Sequence, residues 1–257
     1  TRGMSSAASD VYKRQRLDPN SSESIISQLD RKIDASLGRL QRDFVELYQL
    51  HNRIQSVGDK DNFSAKDILK RGGVADAMEK FKSDERIKSI GITALGDIDA
   101  INEVVLSDCF DVAQIYYNLL NPSASYNTSG NWNDHDFSNL INNCISKDMG
   151  LMNIRIYAAG YLATDKRHGR EIPVTFGINE NELNRRVEKI NSIFNDIKGT
   201  KAQKALRYGL SNKDMSTIVI GLANIEHLEE ALEGYDQGHL DEETLMTIEE
   251  LQNKNFY

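Results

Sequence analysis

The chain is poor in the residues that build disulfide-linked or metal-stabilised scaffolds. Its 257 residues include only two cysteines, three prolines and one tryptophan. Cys109 and Cys144 are too few for a disulfide framework and show no metal-ligand spacing, so we expect no disulfide and no metal site. A reducing compartment, the cytoplasm, fits this cysteine usage best.

Long apolar runs and an excess of basic residues are also missing. No apolar run approaches the roughly 20 residues of a membrane span, and no segment resembles a signal peptide. The net charge of −8 gives no basic surface for nucleic acid or an anionic membrane, so we expect neither as a partner. With 39% hydrophobic and 27% charged residues, the composition is that of a globular protein with a sizeable core.

The most informative stretch runs from Asp43 to His51, where alternating apolar residues lead to a histidine. This pattern predicts a buried strand that delivers an imidazole to a pocket. Upstream, apolar residues at helical spacing predict an amphipathic helix over about residues 22–41; they are Ile25, Ile26, Leu29, Ile33, Leu37 and Leu40. A helix that leads into an apolar strand is one unit of a parallel α/β fold, and barrel enzymes hold their chemistry at the carboxyl ends of such strands.

The same alternation continues along the chain. Five strands are predicted, at 45–50, 88–92, 111–116, 151–157 and 217–220. The helices predicted between and after them cover 65–84, 97–107, 137–147, 179–197, 200–209, 225–234 and 241–253, with Asp97 as the N-cap of the second. Residues 1–15 carry no hydrophobic period and resemble a translated adapter, so we interpret them as a non-native or disordered leader to a domain over 16–257.

Four segments, taken in order, resemble the aldo-keto reductase family. Ala35–Leu40 with Asp43–His51 resembles the region of the catalytic histidine, and Ile87–Thr93 resembles the next barrel strand. Val112–Leu120 resembles the strand with a nicotinamide-binding glutamine, and Thr217–Ala231 the last strand with its cofactor-binding loop. The resemblance covers about residues 20–235.

The resemblance implies an α/β fold, namely a (β/α)8 TIM barrel of the NAD(P)-linked oxidoreductase type. Such a barrel has eight strands and only five are predicted, so we expect an incomplete barrel that lacks about the first three βα units. Those units hold the family's catalytic Asp, Tyr and Lys. Tyr48 is expected to pack in the core, so the chain should lack a proton donor and be inactive as it stands.

The family also implies roles for three of the strand residues. His51 would orient the oxygen of the substrate by donating a hydrogen bond, and the Gln114 amide would pair with the nicotinamide carboxamide. Thr93 stands where the family commonly has a serine on the same carboxamide, but Ala94 lacks the second polar group. For each of the three, a polar side chain satisfied at a strand end is the alternative.

Two further segments are predicted to face the rest of a dinucleotide. Arg155 lies in an apolar stretch and is expected either to reach the cofactor pyrophosphate or to form a buried ion pair. The small residues that open the helix at 225 offer backbone N–H groups to a phosphate; the residues assigned to this loop are Gly221, Leu222 and Asn224.

The cofactor preference rests on the same loop. By the resemblance, NADP-selective members place basic residues where this chain has Gly221 and His227, which favours NAD or dual use although the family commonly uses NADP. Glu230 would match the glutamate that holds the adenine; a solvated helix charge is the alternative.

Two functions from different classes fit these patterns. The first is an NAD(P)-dependent reductase acting on a small carbonyl or sugar substrate, because residues 118–124 resemble the aldose 1-dehydrogenase branch. The second is a non-catalytic, reductase-like subunit that binds the cofactor or a protein partner. A phosphate-binding aldolase would need a Schiff-base lysine at a strand end, and the sequence shows no candidate. The oligomeric state stays open.

Overall fold

The computed structural model describes residues 16–128, 130–166 and 178–257, and they form two compact units. The first comprises the described residues up to Gln114 together with Asn143–Gly150. The second comprises Ile115–Asn142 and the described part of Leu151–Tyr257. The predicted leader, residues 1–15, lies outside the described residues.

The described strands are β1 (Val45–Leu50), β2 (Ile54–Gln55), β3 (Phe63–Ser64), β4 (Ile87–Ala94), β5 (Val112–Tyr116), β6 (Gly150–Ile154) and β7 (Thr217–Val219). The main sheet has five of them, as the sequence predicted, in the order β1-β4-β5-β6-β7. β1 and β4 are parallel, with Leu50 opposite Ile92, and β6 and β7 are parallel as well. β2 and β3 form a separate parallel pair.

Helices follow the strands in the alternation that the sequence predicts. They are α1 (Ile25–Leu40), α2 (Ala65–Leu69), α3 (Val74–Ser83), α4 (Ile98–Val105), α5 (Leu140–Ile145), α6 (Glu180–Ile193), α7 (Lys201–Ser211), α8 (Ile225–Asp236) and α9 (Glu242–Asn253), with a 3₁₀ turn at Ala158–Gly160. The structure is therefore an α/β fold in which apolar strands are covered by amphipathic helices.

The core of the first unit explains why α1 and β4 form where they do. Ser24 begins α1 by accepting a hydrogen bond from the backbone N–H of Ser27. The helix then buries Leu29 and Ile33, two members of the predicted apolar stripe. Every residue of β4 from Ile90 to Ala94 is buried, as expected of a strand in a parallel sheet.

Two boundaries differ from the prediction for reasons of backbone conformation. The helix predicted over 65–84 is divided into α2 and α3 at Gly72 and Gly73. Gly72 has φ +72°, and a Cβ on Gly73 would lie 2.5 Å from the backbone oxygen of Asp67. The strand predicted over 151–157 ends at Ile154, because Arg155 adopts a left-handed φ of +63°.

Arg186 of α6 is the largest fully buried side chain of the second unit. Its guanidinium donates hydrogen bonds to Glu182 Oε1 at 3.3 Å, Leu120 O at 3.0 Å and Asn255 Oδ1 at 2.9 Å, and also to Asn133 Oδ1. Asp134 lies 3.6 Å away as a buried counter-ion. The guanidinium also lies over the Trp132 ring at 4.7 Å and over the Phe256 ring at 4.6 Å. This one side chain therefore ties α6 to the loop after β5 and to the end of the chain.

The electrostatic balance at Arg186 is set by burial. Burial lowers the pKa of its guanidinium, against the opposing effects of Asp134 and Glu182. Burial likewise raises the pKa of Asp134, although Arg186 opposes that change. The ion pair holds both charges in an environment that would otherwise disfavour them, so each depends on the other.

Candidate functional site

His51 directly follows β1 and is half-buried. The strand places it by alternation: Leu47 and Gln49 share its face, and Tyr48 and Leu50 lie on the other. His51 therefore lies at the carboxyl end of a buried strand, as predicted.

Three residues that the sequence singled out separately meet within the first unit. His51 Nδ1 lies 2.9 Å from the hydroxyl of Thr93, near the end of β4. That hydroxyl donates to Gln114 Oε1, in the middle of β5, at 2.8 Å. Thr93 is 2% and Gln114 is 3% exposed. The result is a continuous chain of hydrogen bonds across three strands, which we call the His51–Thr93–Gln114 chain.

The backbone of β4 makes room for this arrangement at Gly91. A Cβ at Gly91 would lie 2.9 Å from the backbone oxygen of Val112 and 3.1 Å from the side chain of Gln49. Gln49 is buried, only 4% exposed, and lies two residues before His51 on the same face. Sequence reasoning missed Gln49, although an amide at this spacing in a buried strand was a usable signal.

Tyr48 does not supply a proton donor to the chain of hydrogen bonds. It is 1% exposed, and its hydroxyl has no hydrogen-bond partner in the part of the protein that the structure describes. Burial raises the pKa of Tyr48 well above its usual value, so the phenol stays protonated. Strand alternation sends it to the face opposite His51, as the sequence predicted for a core residue.

The end of β6, in the second unit, carries a run of unusual backbone conformations. Arg155, Ala158 and Ala159 have φ of +63°, +45° and +58°. Non-glycine residues rarely adopt these angles, and such strain concentrates at functional sites. Arg155 is exposed rather than buried in a strand. The alternative of a buried ion pair is therefore wrong, because the strand ends one residue earlier, and the contact of Arg155 with a pyrophosphate stays a prediction.

Two buried asparagines support this segment. Asn118 donates from Nδ2 to the backbone oxygen of Arg155 at 3.1 Å. Asn153 donates from Nδ2 to the backbone oxygen of Tyr117 at 2.8 Å, while its Oδ1 has no partner among the described residues. Both side chains are fully buried. Sequence reasoning did not assign either one, because their partners lie 36 and 37 residues away.

The loop before α8 is exposed, and two side chains bind backbone N–H groups where the helix begins. Asn224 begins α8 and accepts from the backbone N–H of His227 at 3.0 Å. His227 Nδ1 accepts from the backbone N–H of Ala223 at 3.3 Å. Gly221 and Leu222 are both exposed, and a Cβ at Gly221 would meet nothing within 4 Å. Some of the N–H groups predicted to bind phosphate are thus already bonded within the loop.

Glu230 lies one turn further along α8 and is half-buried. Tyr157, which follows the strained Arg155, has a pKa raised to about 12, first by burial and then by the negative charge of Glu230. The negative charge of Glu230 is therefore near enough to act on Tyr157, and the contact of Glu230 with an adenine stays a prediction.

Other kinds of site find no support in residues 16–128, 130–166 and 178–257. No group of three or more His, Cys, Asp or Glu side chains there could hold a metal ion. No helix in those ranges has the length and apolar character to span a membrane. Cys109 is exposed and Cys144 is buried, both as free thiols.

Residues 11–253 match the model of the aldo/keto reductase family. One curated relative is L-galactose dehydrogenase from Arabidopsis thaliana, which is 26% identical over 237 residues. That match covers 85% of this chain and 62% of the relative. This chain thus spans less than two thirds of the length of that relative.

Solved structures of similar proteins share the fold. An aldo-keto reductase from Bacillus halodurans superposes with a TM-score of 0.66 in its holo form, at 17% identity, over 90% of this chain and 68% of its own. An aldo/keto reductase from Klebsiella pneumoniae in complex with NADP and acetate gives 0.60 at 21% identity, over 88% of this chain and 65% of its own. At these identities, the likeness shows the fold alone.

Proposed function

Because the chain belongs to the aldo/keto reductase family, we propose that it carries part of an NAD(P)-dependent oxidoreductase site. The reaction is hydride transfer between the nicotinamide ring and the reacting carbon of a carbonyl or alcohol substrate. The observation that carries the proposal is the His51–Thr93–Gln114 chain, with distances of 2.9 and 2.8 Å. Buried polar side chains aligned across neighbouring strands are typical of a site and costly in a core.

The groups of this chain fit the nicotinamide end of the cofactor. The Gln114 amide offers a donor and an acceptor, which is the complement of a carboxamide. Thr93 holds that amide in place from the neighbouring strand. His51, half-buried at the strand end, orients the oxygen of the substrate beside the ring.

For the second unit by itself, we propose residues that bind the phosphates and the adenosine of a dinucleotide. Gly221, Leu222 and Asn224 form the phosphate-binding loop, supported by its exposed backbone and its position at the start of α8. Arg155, exposed after β6, is assigned to the pyrophosphate. His227 and Glu230 are assigned to the adenosine end, and the missing basic residues at Gly221 and His227 favour NAD or dual use over strict NADP use.

We propose that this chain alone does not turn over substrate. Tyr48 is the tyrosine that the structure describes in the first unit, and it is buried on the face opposite His51. The predicted absence of about three βα units stays a prediction. An assay of carbonyl reduction by the purified chain should show no activity; measurable turnover would contradict this part of the proposal.

The substrate class proposed is a small aldehyde or sugar. It is supported by the likeness of residues 118–124 to the sugar-oxidising branch and by the name of the relative, L-galactose dehydrogenase. The rival function is a non-catalytic subunit that binds the cofactor. The burial of Tyr48 on the face opposite His51 supports that rival. Hydride transfer by the protein between a nicotinamide nucleotide and an aldehyde or sugar would contradict the rival.

The experiment that tests cofactor binding is a fluorescence titration of the chain with NADH and NADPH. Saturable quenching is expected, and Gln114→Leu should weaken it about tenfold, because one or two hydrogen bonds at about 1 kcal/mol each are lost. Asn142→Ala is the matched control, since its side chain is exposed and makes no hydrogen bond within the described structure. Absence of binding to either nucleotide, or an unchanged affinity in Gln114→Leu, would overturn the proposal.

A further inference from the structure

The His51–Thr93–Gln114 chain has a direction that its donors and acceptors determine. Gln114 Oε1 is a carbonyl oxygen and can only accept, so the single hydroxyl hydrogen of Thr93 points toward it. The oxygen of Thr93 then has only lone pairs to offer to His51 at 2.9 Å. Nδ1 of His51 must therefore carry a hydrogen and donate it to Thr93.

If the donors and acceptors ran in the opposite direction, the hydrogen of a neutral His51 would lie on the other ring nitrogen. If the Gln114 amide were reversed, its Nε2 would donate to Thr93, which would donate to a bare Nδ1. A neutral His51 would then carry its hydrogen on Nε2. The orientation of one buried amide on β5 thus determines the tautomer of a histidine two strands away.

Resting on the proposed function, we propose that Thr93 is a positioning residue that holds His51 as the Nδ1–H tautomer. In the neutral ring, Nε2 then has a lone pair and accepts hydrogen bonds. The hydroxyl of an alcohol can donate to such an atom, whereas a carbonyl oxygen requires an N–H. A neutral His51 of this tautomer therefore has an acceptor, and not a donor, at Nε2.

This role differs from the one that the sequence suggested. Thr93 was predicted to bind the nicotinamide carboxamide directly, and His51 to donate to the substrate. With its hydroxyl engaged on both sides, Thr93 acts on the cofactor through Gln114 and on the substrate through His51. A single methyl-for-hydroxyl exchange should disturb both.

The test is nitrogen NMR of the full chain with ¹⁵N-labelled histidine, at a pH where the imidazoles are neutral. The chain has five histidines, and His51→Gln identifies the pair of signals that belongs to His51. The proposal predicts that Nδ1 shows the shift of a nitrogen that carries hydrogen and Nε2 that of a bare nitrogen. The reverse pattern in the wild-type chain would overturn it.

Three variants separate positioning from structural support. Thr93→Val keeps the branched shape but removes the hydroxyl, and should shift His51 toward the Nε2–H form. Thr93→Ser restores the hydroxyl and should restore Nδ1–H. Gln114→Glu offers only acceptor oxygens and should also keep Nδ1–H, so this variant remains decisive if Thr93→Val does not fold. An Nε2–H form in Thr93→Ser or Gln114→Glu would contradict the proposal.

The measurement needs no cofactor, so its outcome is separate from that of the cofactor titration. A chain that fails to bind NADH or NADPH and yet shows Nδ1–H on His51 would refute the proposed function and support the role of Thr93. A chain that binds a nucleotide but shows Nε2–H would do the reverse.

Discussion

Replacing Arg186 by methionine should remove a large share of the stability of the second unit. Methionine keeps the length and much of the apolar stem, so the change acts mainly on charge and hydrogen bonding. The variant loses four hydrogen bonds from the guanidinium and leaves Asp134 buried without its counter-ion, 3.6 Å away in the wild type. Breaking a buried ion pair from one side costs about 3–5 kcal/mol, and we expect a loss in this range.

Urea unfolding followed by the fluorescence of Trp132 measures this loss directly. Trp132 is the only tryptophan, and its ring lies 4.7 Å from the guanidinium. For a slope of about 2 kcal/mol per M, the midpoint should fall by roughly 1.5–2.5 M. Lys189→Met, an exposed change on the same helix, should stay within about 0.5 kcal/mol of the wild type.

A second variant identifies the cause of the loss. Adding Asp134→Asn to Arg186→Met should recover part of the stability, since it removes the carboxylate that has lost its partner. If Arg186→Met shifts the midpoint no more than Lys189→Met, the reasoning about this buried ion pair is refuted.

Glu182, Cys109 and Gly96 can each be tested by one experiment. Hydrogen bonds from Arg185 chiefly lower the pKa of the Glu182 carboxyl. The stability that Glu182 contributes is therefore present above its unfolded pKa of about 4.5 and is lost as the pH falls through the lower folded value. In acid titrations monitored by circular dichroism, Glu182→Gln should reduce this loss of stability, and an unchanged profile would contradict the assignment. Cys109 is exposed, whereas burial raises the pKa of the Cys144 thiol to about 12. A thiol reagent should therefore label one cysteine in the native protein and two in urea. Rapid labelling of both cysteines in the native protein would show that Cys144 is accessible. Gly96→Ala should lower the melting temperature strongly, because Gly96 has φ +132° and the new Cβ would lie 1.8 Å from the backbone oxygen of Ile54 in β2. A melting temperature equal to that of the wild type would show that Gly96 and Ile54 do not lie so close together.

The sequence predicted the elements of the fold better than the points where they end. The five strands and the stripe on α1 follow from local periodicity, which needs only neighbouring residues. The break at Gly72 and Gly73 was also local and could have been read from the glycine pair. The end of β6 could not be predicted, because Arg155 has a left-handed backbone conformation that an arginine in the sequence does not indicate.

The sequence identified residues of the candidate site but not the contacts between them. His51, Thr93 and Gln114 could be selected from strand-end positions and family resemblance, but their mutual hydrogen bonds join residues 42 and 21 positions apart and need the fold. The roles of Asn118 and Asn153 were beyond prediction for this reason, since a buried amide is identified only by partners distant in sequence.

Saturation-transfer NMR on bound NAD⁺, comparing the wild-type chain with Gln114→Leu, measures whether the nicotinamide lies at Gln114. Irradiation of the protein should transfer saturation to the nicotinamide and the adenine protons in the wild type. In Gln114→Leu, we predict a selective loss at the nicotinamide protons, because only that end of the cofactor is assigned to Gln114. Equal saturation of the nicotinamide protons in both proteins would contradict a nicotinamide site at the His51–Thr93–Gln114 chain.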